Sequence, residues 1–506
     1  MSTGPVLKVR NLSIAFDKRV VNDLSFEVLP GKTTAIVGES GSGKTVSSMA
    51  IMGLLPQSAK IESGSYTELK PGIDISMIFQ DPMSSLNPSM RVGEQVAEPI
   101  LVHENLDFES AKSRVLDLFE EVELPSPESS FKKYPHELSG GQKQRVMIAM
   151  ALACNPKVII ADEPTTALDV TVQKTILELL QKLQKQRNLG VLFISHDLEV
   201  VQDISDYVLV MKTGDTVEQG PCKNVFDNPS HPYTEELIAS RPRRNESLKP
   251  SSNVLIEAKQ VCLNYNLKKD MLGRVVETFR AVKNVSLTIY EGERVGLVGE
   301  SGSGKSSLGK LILGMEKCSS GGVFWDGVEL DTRNKSKFSD FKKIAQPVFQ
   351  DPFSALNPRM SIGSALQEAI DLGGGSSTVE KLLEEVGLSA RDAPKYPSGF
   401  SGGQRQRIVL ARALAMEPKF LVLDESVAAL DLRIQADILA LISKIQKERS
   451  LAFLFISHDL NVIEAICDRI VIMKDSEIIE EGPTDKIFKN PENSYTKELL
   501  NSRPGA

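Results

Sequence analysis

The sequence GESGSGKT at residues 38–45 joins a short apolar run, Ala35-Ile36-Val37, to a segment that can continue as a helix. Glycines let the backbone wrap closely around an anion, and successive N–H groups at a helix N-terminus form a cradle for phosphate. In such a loop Lys44 can reach β- and γ-phosphate oxygens, and the Thr45 hydroxyl can bind Mg²⁺. The alternative is a Gly/Ser-rich turn that only joins a strand to a helix. The residues predicted to hold phosphate or metal are Gly38, Ser40, Gly41, Gly43, Lys44 and Thr45.

The same loop recurs as GESGSGKS at residues 299–306, again after an apolar run, and Lys305 follows Lys44 by 261 residues. Since an accidental turn would not recur in register with the motifs downstream of it, the repeat favours phosphate binding at both places. The corresponding residues of the second loop are Gly299, Ser301, Gly302, Gly304, Lys305 and Ser306.

The repeat also sets the domain organisation. A chain of 506 residues would by size alone suggest about three domains. The duplication instead predicts two, residues 1–242 and 254–506, joined by a polar, Pro/Ser-rich linker at residues 243–253. Each half is large enough to bury its own core.

Composition excludes several classes of protein. A net charge of −8 argues against a nucleic-acid binder, because neutralising phosphates needs a basic surface. The five cysteines are scattered and form no C-x-x-C pair, which predicts a reducing compartment and no disulfide framework or zinc site. The polar N-terminus lacks the apolar region of a signal peptide, and no apolar run approaches the roughly 18 residues that span a bilayer.

Two acidic residues end an apolar strand pattern in each half. Asp162-Glu163 follows Val158-Ile159-Ile160-Ala161, and Asp424-Glu425 repeats the arrangement 262 residues later. At the carboxyl end of a parallel strand, one carboxylate can face a metal and the next a γ-phosphate. A solvated charge pair is the poorer interpretation because the preceding strand is wholly apolar. His196 and His458, also 262 residues apart, follow another apolar strand.

A Ser-Gly-Gly-Gln sequence opens a predicted helix in each half. It begins at Ser139 and, 262 residues later, at Ser401. Such a start can be a second anion site or an ordinary helix cap, and in isolation the cap is favoured.

A glutamine turn is also duplicated, as FQDPMSSLNP at residues 79–88 and FQDPFSALNP at residues 349–358. Its prolines and Asx residues predict a rigid surface turn outside the core. Lys44 precedes Gln80 by 36 residues, whereas Lys305 precedes Gln350 by 45, which predicts a trimmed hairpin region in the first half.

Two aromatic residues could serve either binding or packing, and two helical patterns indicate packing. Phe16, and Tyr265 at the equivalent place of the second half, could stack on adenine or pack at a strand edge. Helical spacing of apolar residues at 115–122 and 379–386 predicts one buried face on each of two amphipathic helices.

The order of phosphate loop, glutamine turn, LSGGQ, Asp-Glu strand, Ala-Leu-Asp and histidine resembles the ATP-binding-cassette ATPases, over almost the whole chain and twice. The glutamine turns, YPHELSGGQKQRVMIAMAL and the Pro-Tyr-Thr tail are similar to the peptide/nickel importer branch. The duplication resembles fused ATPase subunits of oligopeptide, glutathione and microcin C importers. The resemblance implies an α/β fold of two P-loop NTPase (RecA-like) cassettes, each with an antiparallel β subdomain and a helical insertion, in a pseudo-two-fold head-to-tail arrangement.

The resemblance also implies ATP and Mg²⁺ as cofactors, with roles for individual residues. The implied catalytic residues are Glu163, His196, Gln80, Glu425, His458 and Gln350. The implied metal ligands are Thr45, Gln80, Asp162, Ser306, Gln350 and Asp424. Residues implied to reach the nucleotide of the opposite half are Ser139, Gly141, Ser401 and Gly403. Asp169 and Asp431, in the Ala-Leu-Asp turns, are implied to line the interface of the two halves.

The function that this resemblance implies is ATP hydrolysis that powers a peptide importer from the cytoplasmic face of the inner membrane. Two integral membrane permeases would be direct partners and a solute-binding protein an indirect one, with no nucleic acid and no iron–sulfur cluster. One alternative is a tandem sugar-importer ATPase, which usually has a degenerate site and lacks the glutamine-turn and tail sequences. The other is a soluble ribosome-associated tandem cassette, which typically has a long charged arm where this chain has the short linker at residues 243–253.

Overall fold

The computed structural model describes residues 4–165, 168–240, 251–269, 275–331, 335–349, 351–427 and 430–503. The described residues form two compact units, one from residue 4 to residue 240 and one from residue 251 to residue 502. Most of the predicted linker at residues 243–253 lies outside the described residues, so the predicted domain boundaries stay predictions.

The first unit contains a mainly parallel sheet and a smaller antiparallel one. Its described strands are β1 (Leu7–Ala15), β2 (Arg19–Val28), β3 (Thr33–Val37), β4 (Lys60–Tyr66), β5 (Ile75–Ile78), β6 (Val158–Asp162), β7 (Gly190–Ile194), β8 (Tyr207–Lys212) and β9 (Asp215–Pro221). The larger sheet has the order β5-β6-β7-β3-β8-β9, in which only β9 pairs antiparallel. The smaller sheet, β2-β1-β4, is antiparallel.

Helices cover the larger sheet and form a separate insertion. The described α-helices of the first unit are α1 (Lys44–Ile51), α2 (Pro82–Ser85), α3 (Val92–Glu104), α4 (Phe108–Glu121), α5 (Pro127–Phe131), α6 (Gly140–Leu152), α7 (Val170–Arg187), α8 (Leu198–Ile204), α9 (Cys222–Asp227) and α10 (Pro232–Ala239). A 3₁₀ turn at Pro135–Glu137 precedes α6.

The second unit repeats this architecture. Its described strands are β10 (Val254–Lys269), β11 (Val275–Tyr290), β12 (Arg294–Val298), β13 (Ser320–Trp325), β14 (Val328–Glu329), β15 (Ala345–Val348), β16 (Phe420–Asp424), β17 (Ala452–Ile456), β18 (Arg469–Lys474) and β19 (Glu477–Pro483). The larger sheet has the order β15-β16-β17-β12-β18-β19, and the smaller one β11-β10-β13-β14.

The described α-helices of the second unit follow in the same order. They are α11 (Lys305–Ile312), α12 (Lys335–Ile344), α13 (Pro352–Ala355), α14 (Ile362–Gly373), α15 (Val379–Glu385), α16 (Gly402–Leu414), α17 (Leu432–Arg449), α18 (Leu460–Ile466), α19 (Thr484–Lys489) and α20 (Ser494–Asn501). Short 3₁₀ turns lie at Ala390–Asp392 and Pro397–Gly399.

Burial explains why the apolar runs form these strands. Every residue of β3, β6 and β7 is buried, as expected for parallel strands covered on both faces. The predicted apolar helix face at residues 115–122 is buried in the helical insertion, where Val115, Phe119 and Val122 have no exposed surface. The predicted cassette fold, with its antiparallel β subdomain and helical insertion, is therefore confirmed in each unit.

The difference in length between the two halves also has a structural location. In the second unit the chain adds β14 and α12 between β13 and β15. In the first unit it passes from β4 to β5 with only a bridge between Pro71 and Ile75. The missing segment is thus a strand and a helix at the edge of the antiparallel subdomain.

The prediction that the glutamine turns lie outside the core is wrong for one leucine in each. Leu86 is 2% exposed and Leu356 is 4% exposed, and both belong to hydrophobic clusters that include the helical insertion. The turn is held against α3 because the Gln95 side chain accepts from Asn87 N–H and donates to the carbonyl groups of Asn87 and Met90. A polar turn anchored in this way buries its apolar residue.

Candidate nucleotide site

The loop at residues 38–45 leaves the central strand β3 and enters α1, as the sequence predicts. Gly43 has φ of 100°, a conformation that favours glycine, and a side chain at Gly38 would approach the carbonyl oxygen of Met211 to 2.2 Å. The second loop has the same geometry, since a Cβ at Gly299 would lie 2.2 Å from the Met473 carbonyl oxygen. Each loop is therefore shaped by close contact with the neighbouring strand of the larger sheet.

The lysine of each loop is buried and points back over the loop. Lys44 Nζ donates to the carbonyl oxygens of Gly38 at 2.7 Å and Glu39 at 2.8 Å. Lys305 Nζ makes the equivalent bonds to Gly299 and Glu300 at 2.7 and 2.8 Å. A buried ammonium group held by neutral carbonyl groups is ready to bind an anion that enters the loop.

In each unit two of the predicted metal ligands lie close together at the start of the helix that follows the P-loop. Thr45 Oγ1 lies 3.4 Å from Asp162 Oδ1, and Ser306 Oγ lies 3.1 Å from Asp424 Oδ1. Burial raises the pKa of Asp162 to about 6, which the Thr45 hydrogen bond opposes, and burial also raises the pKa of Asp424. A hydroxyl and a desolvated carboxylate suit Mg²⁺, which prefers oxygen ligands and favours the ionised carboxylate when bound.

The second carboxylate of each pair lies among polar side chains from neighbouring strands. Glu163 Oε1 lies 3.0 Å from His196 Nδ1, and Glu163 Oε2 accepts from Gln80 Nε2 at 2.8 Å. In the second unit Glu425 Oε1 lies 3.3 Å from His458 Nδ1, and this hydrogen bond lowers the pKa of Glu425. The predicted partner there, Gln350, lies outside the described residues.

The backbone of these glutamates is strained, which the sequence did not reveal. Glu163 has φ of 48° and Glu425 has φ of 46°, in the left-handed region that non-glycine residues rarely adopt. Their N–H groups donate to Ile194 and Ile456 at 2.8 and 2.9 Å. Such strain costs on the order of 1–3 kcal/mol and concentrates at functional positions.

The Ser-Gly-Gly sequences form helix caps. Ser139 Oγ accepts from Gln142 N–H, and the Gln142 side chain accepts from Ser139 N–H, in a capping box that Ser401 and Gln404 repeat. Within its own unit Gly141 packs closely against Val172, because an added Cβ would lie 2.7 Å from that side chain. The capping interpretation therefore holds in each unit, and both serines remain exposed.

The remaining predicted residues lie on or beside strands and at the starts of helices. Phe16 follows β1 and is 37% exposed, whereas Tyr265 lies within β10 and packs partly against the core. Asp169 and Asp431 are the N-cap residues of α7 and α17.

The sequence did not predict one contact in each P-loop. The Glu39 N–H group donates to the hydroxyl of Tyr233, and the Glu300 N–H group donates to the hydroxyl of Tyr495. The sequence does repeat Tyr-Thr in the tail of each half, which marks these tyrosines as notable. Their contact with the P-loop could not be predicted, because tyrosine and loop are 194 residues apart in the first unit and 195 in the second.

A P-loop on the central strand, a hydroxyl–carboxylate pair and a glutamate–histidine pair together define a P-loop nucleotide-binding cassette, here present twice. The family model described as ABC transporter matches residues 21–166 and 282–428. The model described as oligopeptide/dipeptide transporter, C-terminal region, matches residues 217–261 and 479–506.

Curated relatives agree with these matches. The chain is 40% identical to the glutathione import ATP-binding protein GsiA of Escherichia coli (strain K12), over 100% of this chain and 90% of the relative. The same figures hold for the protein of that name from Shigella dysenteriae serotype 1 (strain Sd197). The chain belongs to the ABC transporter ATPases and is a tandem ATPase of the peptide-importer type.

A solved structure supports the fold alone. The archaeal ribosome recycling factor aABCE1, in complex with ribosomal stalk protein aP1, matches at 19% identity with a TM-score of 0.63, covering 92% of this chain and 88% of that chain.

None of the helices among the described residues has both the length and the apolar character needed to cross a bilayer.

Proposed function

We propose that this chain hydrolyses ATP at two sites and thereby powers the uptake of glutathione or short peptides. The observation that carries the proposal is the presence of two complete cassettes, each followed by a tail of the oligopeptide/dipeptide type. The identity to import ATP-binding proteins over the whole chain supports the same conclusion.

The proposed chemistry uses the groups that meet at the strand ends. Lys44 would leave its carbonyl partners to bind the β- and γ-phosphates, because an anion is a stronger partner than a neutral carbonyl. Glu163 would polarise the attacking water, while His196 orients the carboxylate and contacts the γ-phosphate. Thr45, Asp162 and Gln80 would hold Mg²⁺, which would supply positive charge to offset the negative charge of the phosphates. Lys305, Ser306, Asp424, Glu425, His458 and Gln350 would take these roles in the second cassette.

We further propose that the two Ser-Gly-Gly helix starts also bind nucleotide phosphate. The support is the family resemblance and the exposure of Ser139 and Ser401 at helix N-termini, where N–H groups favour an anion. Replacing either serine by arginine should then lower the rate of ATP hydrolysis. Unchanged hydrolysis in both variants would contradict this role.

The proposed partners are two integral membrane permeases, with a solute-binding protein acting indirectly. An import ATPase needs a membrane pathway that it does not itself provide, and the glutamine turns are the segments proposed to contact it. The proposed location is the cytoplasmic face of the inner membrane, as a peripheral subunit.

The test is uptake in a strain that lacks this chain. Radiolabelled glutathione, dipeptides, tripeptides, longer peptides and nickel are each supplied to cells that carry the parent chain or the Glu163→Gln, Glu425→Gln double variant. We expect the parent to restore uptake of glutathione or a short peptide and the double variant to restore none. The control is Glu109→Gln, which changes an exposed carboxylate on α4. Restored uptake by the double variant, or of nickel alone, would contradict the proposal.

A further inference from the structure

Each P-loop is joined to the tail of its own cassette by one tyrosine. The Glu39 N–H group lies 3.4 Å from the Tyr233 hydroxyl oxygen, and the Glu300 N–H group lies 3.1 Å from that of Tyr495. Both tyrosines lie in the first turn of the tail helices α10 and α20 and are buried, at 3% and 5% exposed. The contact is therefore a repeated feature of the two cassettes.

The tyrosine acts on the same peptide group as the loop lysine. The peptide that joins Gly38 to Glu39 donates its N–H to Tyr233 and accepts from Lys44 Nζ at its carbonyl oxygen, 2.7 Å away. The peptide between Gly299 and Glu300 is held in the same two ways. Since hydrogen bonds in series polarise one another, the hydroxyl fixes both the orientation of this peptide and the resting position of the lysine.

The tail is built to hold the tyrosine rigidly. In the first unit the Glu218 carboxylate accepts from the N–H groups of Ser230 and His231, just before α10. The Lys212 ammonium group lies 4.5 Å from the centre of the Tyr233 ring. These contacts fix the start of the tail helix independently of the hydroxyl group.

The second unit repeats the support with equivalent residues. The Glu480 carboxylate accepts from the N–H groups of Glu492 and Asn493, and Lys474 lies 4.2 Å from the centre of the Tyr495 ring. The residues just before the tyrosine differ, His231 being replaced by Asn493, yet the tyrosine and its bond to the loop are kept. The bond therefore does not depend on the identity of those preceding residues.

We propose that Tyr233 and Tyr495 are positioning residues for nucleotide binding, whose hydroxyl groups hold the first peptide of each P-loop in its phosphate-binding form. Without the hydroxyl, this peptide would have to be ordered when ATP binds. Because the loop contacts the phosphates equally in the ground state and the transition state, the loss should raise KM with kcat unchanged. The longer bond at Tyr233 predicts a smaller effect there than at Tyr495.

The experiment compares the parent chain with Tyr233→Phe, Tyr495→Phe and the double variant. Phenylalanine keeps the buried ring and removes only the hydroxyl. We expect the KM for ATP of the double variant to rise about fivefold, which corresponds to about 1 kcal/mol, the usual net value of one hydrogen bond. The kcat should stay within about twofold, and the Kd for ADP measured by calorimetry should rise by the same factor as KM.

Two further measurements separate positioning from simple packing. Lys212→Met and Lys474→Met remove the cation beside each ring but keep the hydroxyl, so KM should rise by less than in the matching phenylalanine variant. The thermal midpoint without nucleotide reports any loss of tail stability. A lower midpoint with unchanged KM and unchanged Kd for ADP, or a KM that falls, would overturn the proposal.

Discussion

The two cassettes of this chain agree at the nucleotide site and differ in what supports it. Lys44 and Lys305 bind their own loops at the same distances, 2.7 and 2.8 Å, and both catalytic glutamate candidates have a left-handed backbone. At the start of the central strand, however, the first cassette has an exposed lysine–aspartate pair where the second has a buried arginine–aspartate pair. The positions proposed to touch the phosphates are therefore closely repeated, whereas the residues that support the central strand differ between the two cassettes.

The ion pairs at the starts of the central strands and their neighbours show this difference most clearly. Lys32 and Asp206 pair at 2.7 Å with side chains that are 55% and 42% exposed. Arg294 and Asp468 form two parallel bonds of 2.8 and 2.6 Å with side chains only 2% and 8% exposed. A pair in water contributes little because solvent screens it, while either member of a buried pair is costly to leave alone.

Replacing Arg294 by methionine should therefore have the largest effect. It leaves the Asp468 carboxylate buried without its cation, and we expect a loss of about 3–5 kcal/mol in the free energy of unfolding of the second cassette. The comparison change Lys32→Met removes the exposed cation paired with Asp206 in the first cassette and should cost less than about 1 kcal/mol, measured by urea unfolding followed by circular dichroism. Urea unfolding followed by emission of Trp325, the single tryptophan of the sequence, reports on the second cassette.

A second variant decides how the buried pair acts. Arg294→Met combined with Asp468→Leu removes both charges, so most of the lost stability should return. Equal urea midpoints for Arg294→Met and the parent would mean that the two scaffolds do not differ in the way described.

A change in the additional helix of the second cassette should lower stability by an intermediate amount. Phe341 on α12 is 4% exposed, and its ring packs edge-on against Trp325 at 5.8 Å and parallel to Phe338 at 6.3 Å. Phe341→Leu should cost about 2 kcal/mol, from lost volume and lost aromatic pairing. Leu372→Ala, at a position 65% exposed, is the control and should change stability by less than about 0.5 kcal/mol. If both variants lowered the urea midpoint of Trp325 emission by the same amount, Phe341 would not be packed on Trp325 and Phe338 in this way.

Replacing the residue after Glu425 should raise the stability of the second cassette slightly, whereas the preceding changes lower stability. Ser426 is 3% exposed, and its hydroxyl has no hydrogen-bond partner in the described part of the chain, where the first cassette has Pro164. Ser426→Ala removes a buried unsatisfied group and should stabilise the second cassette by about 1 kcal/mol. The Trp325 urea midpoint should rise, and a lower midpoint would show that the hydroxyl is satisfied.

Local patterns predicted much of this structure. The P-loops, the strand ends at Asp162 and Asp424, and the apolar helix faces follow from short motifs and from periodicity, which depend on neighbouring residues only. The burial of Leu86 within a polar turn was not predicted, because it depends on a glutamine of the following helix.

Contacts between distant parts of the chain were the ones that the sequence could not supply. The bond from Tyr233 joins the tail helix α10 to the P-loop, across 194 residues of sequence. The pairing of Arg294 with Asp468 joins the neighbouring strands β12 and β18 at their starts, across 174 residues. The left-handed backbone at Glu163 likewise has no signature in residue type, since glutamate does not favour that conformation.

We propose that the two sites are equally catalytic despite their different scaffolds. Single-turnover ATP hydrolysis by Glu163→Gln and Glu425→Gln in the full chain tests this equivalence. Each change removes the carboxylate proposed to polarise water, so each should lower the rate of hydrolysis at its own site at least tenfold, or about 1.4 kcal/mol in barrier, and leave about half of the parent's total rate. The residual rates should agree within about threefold. If either variant hydrolysed ATP as fast as the parent, that site would not be catalytic and the equivalence of the two cassettes would be contradicted.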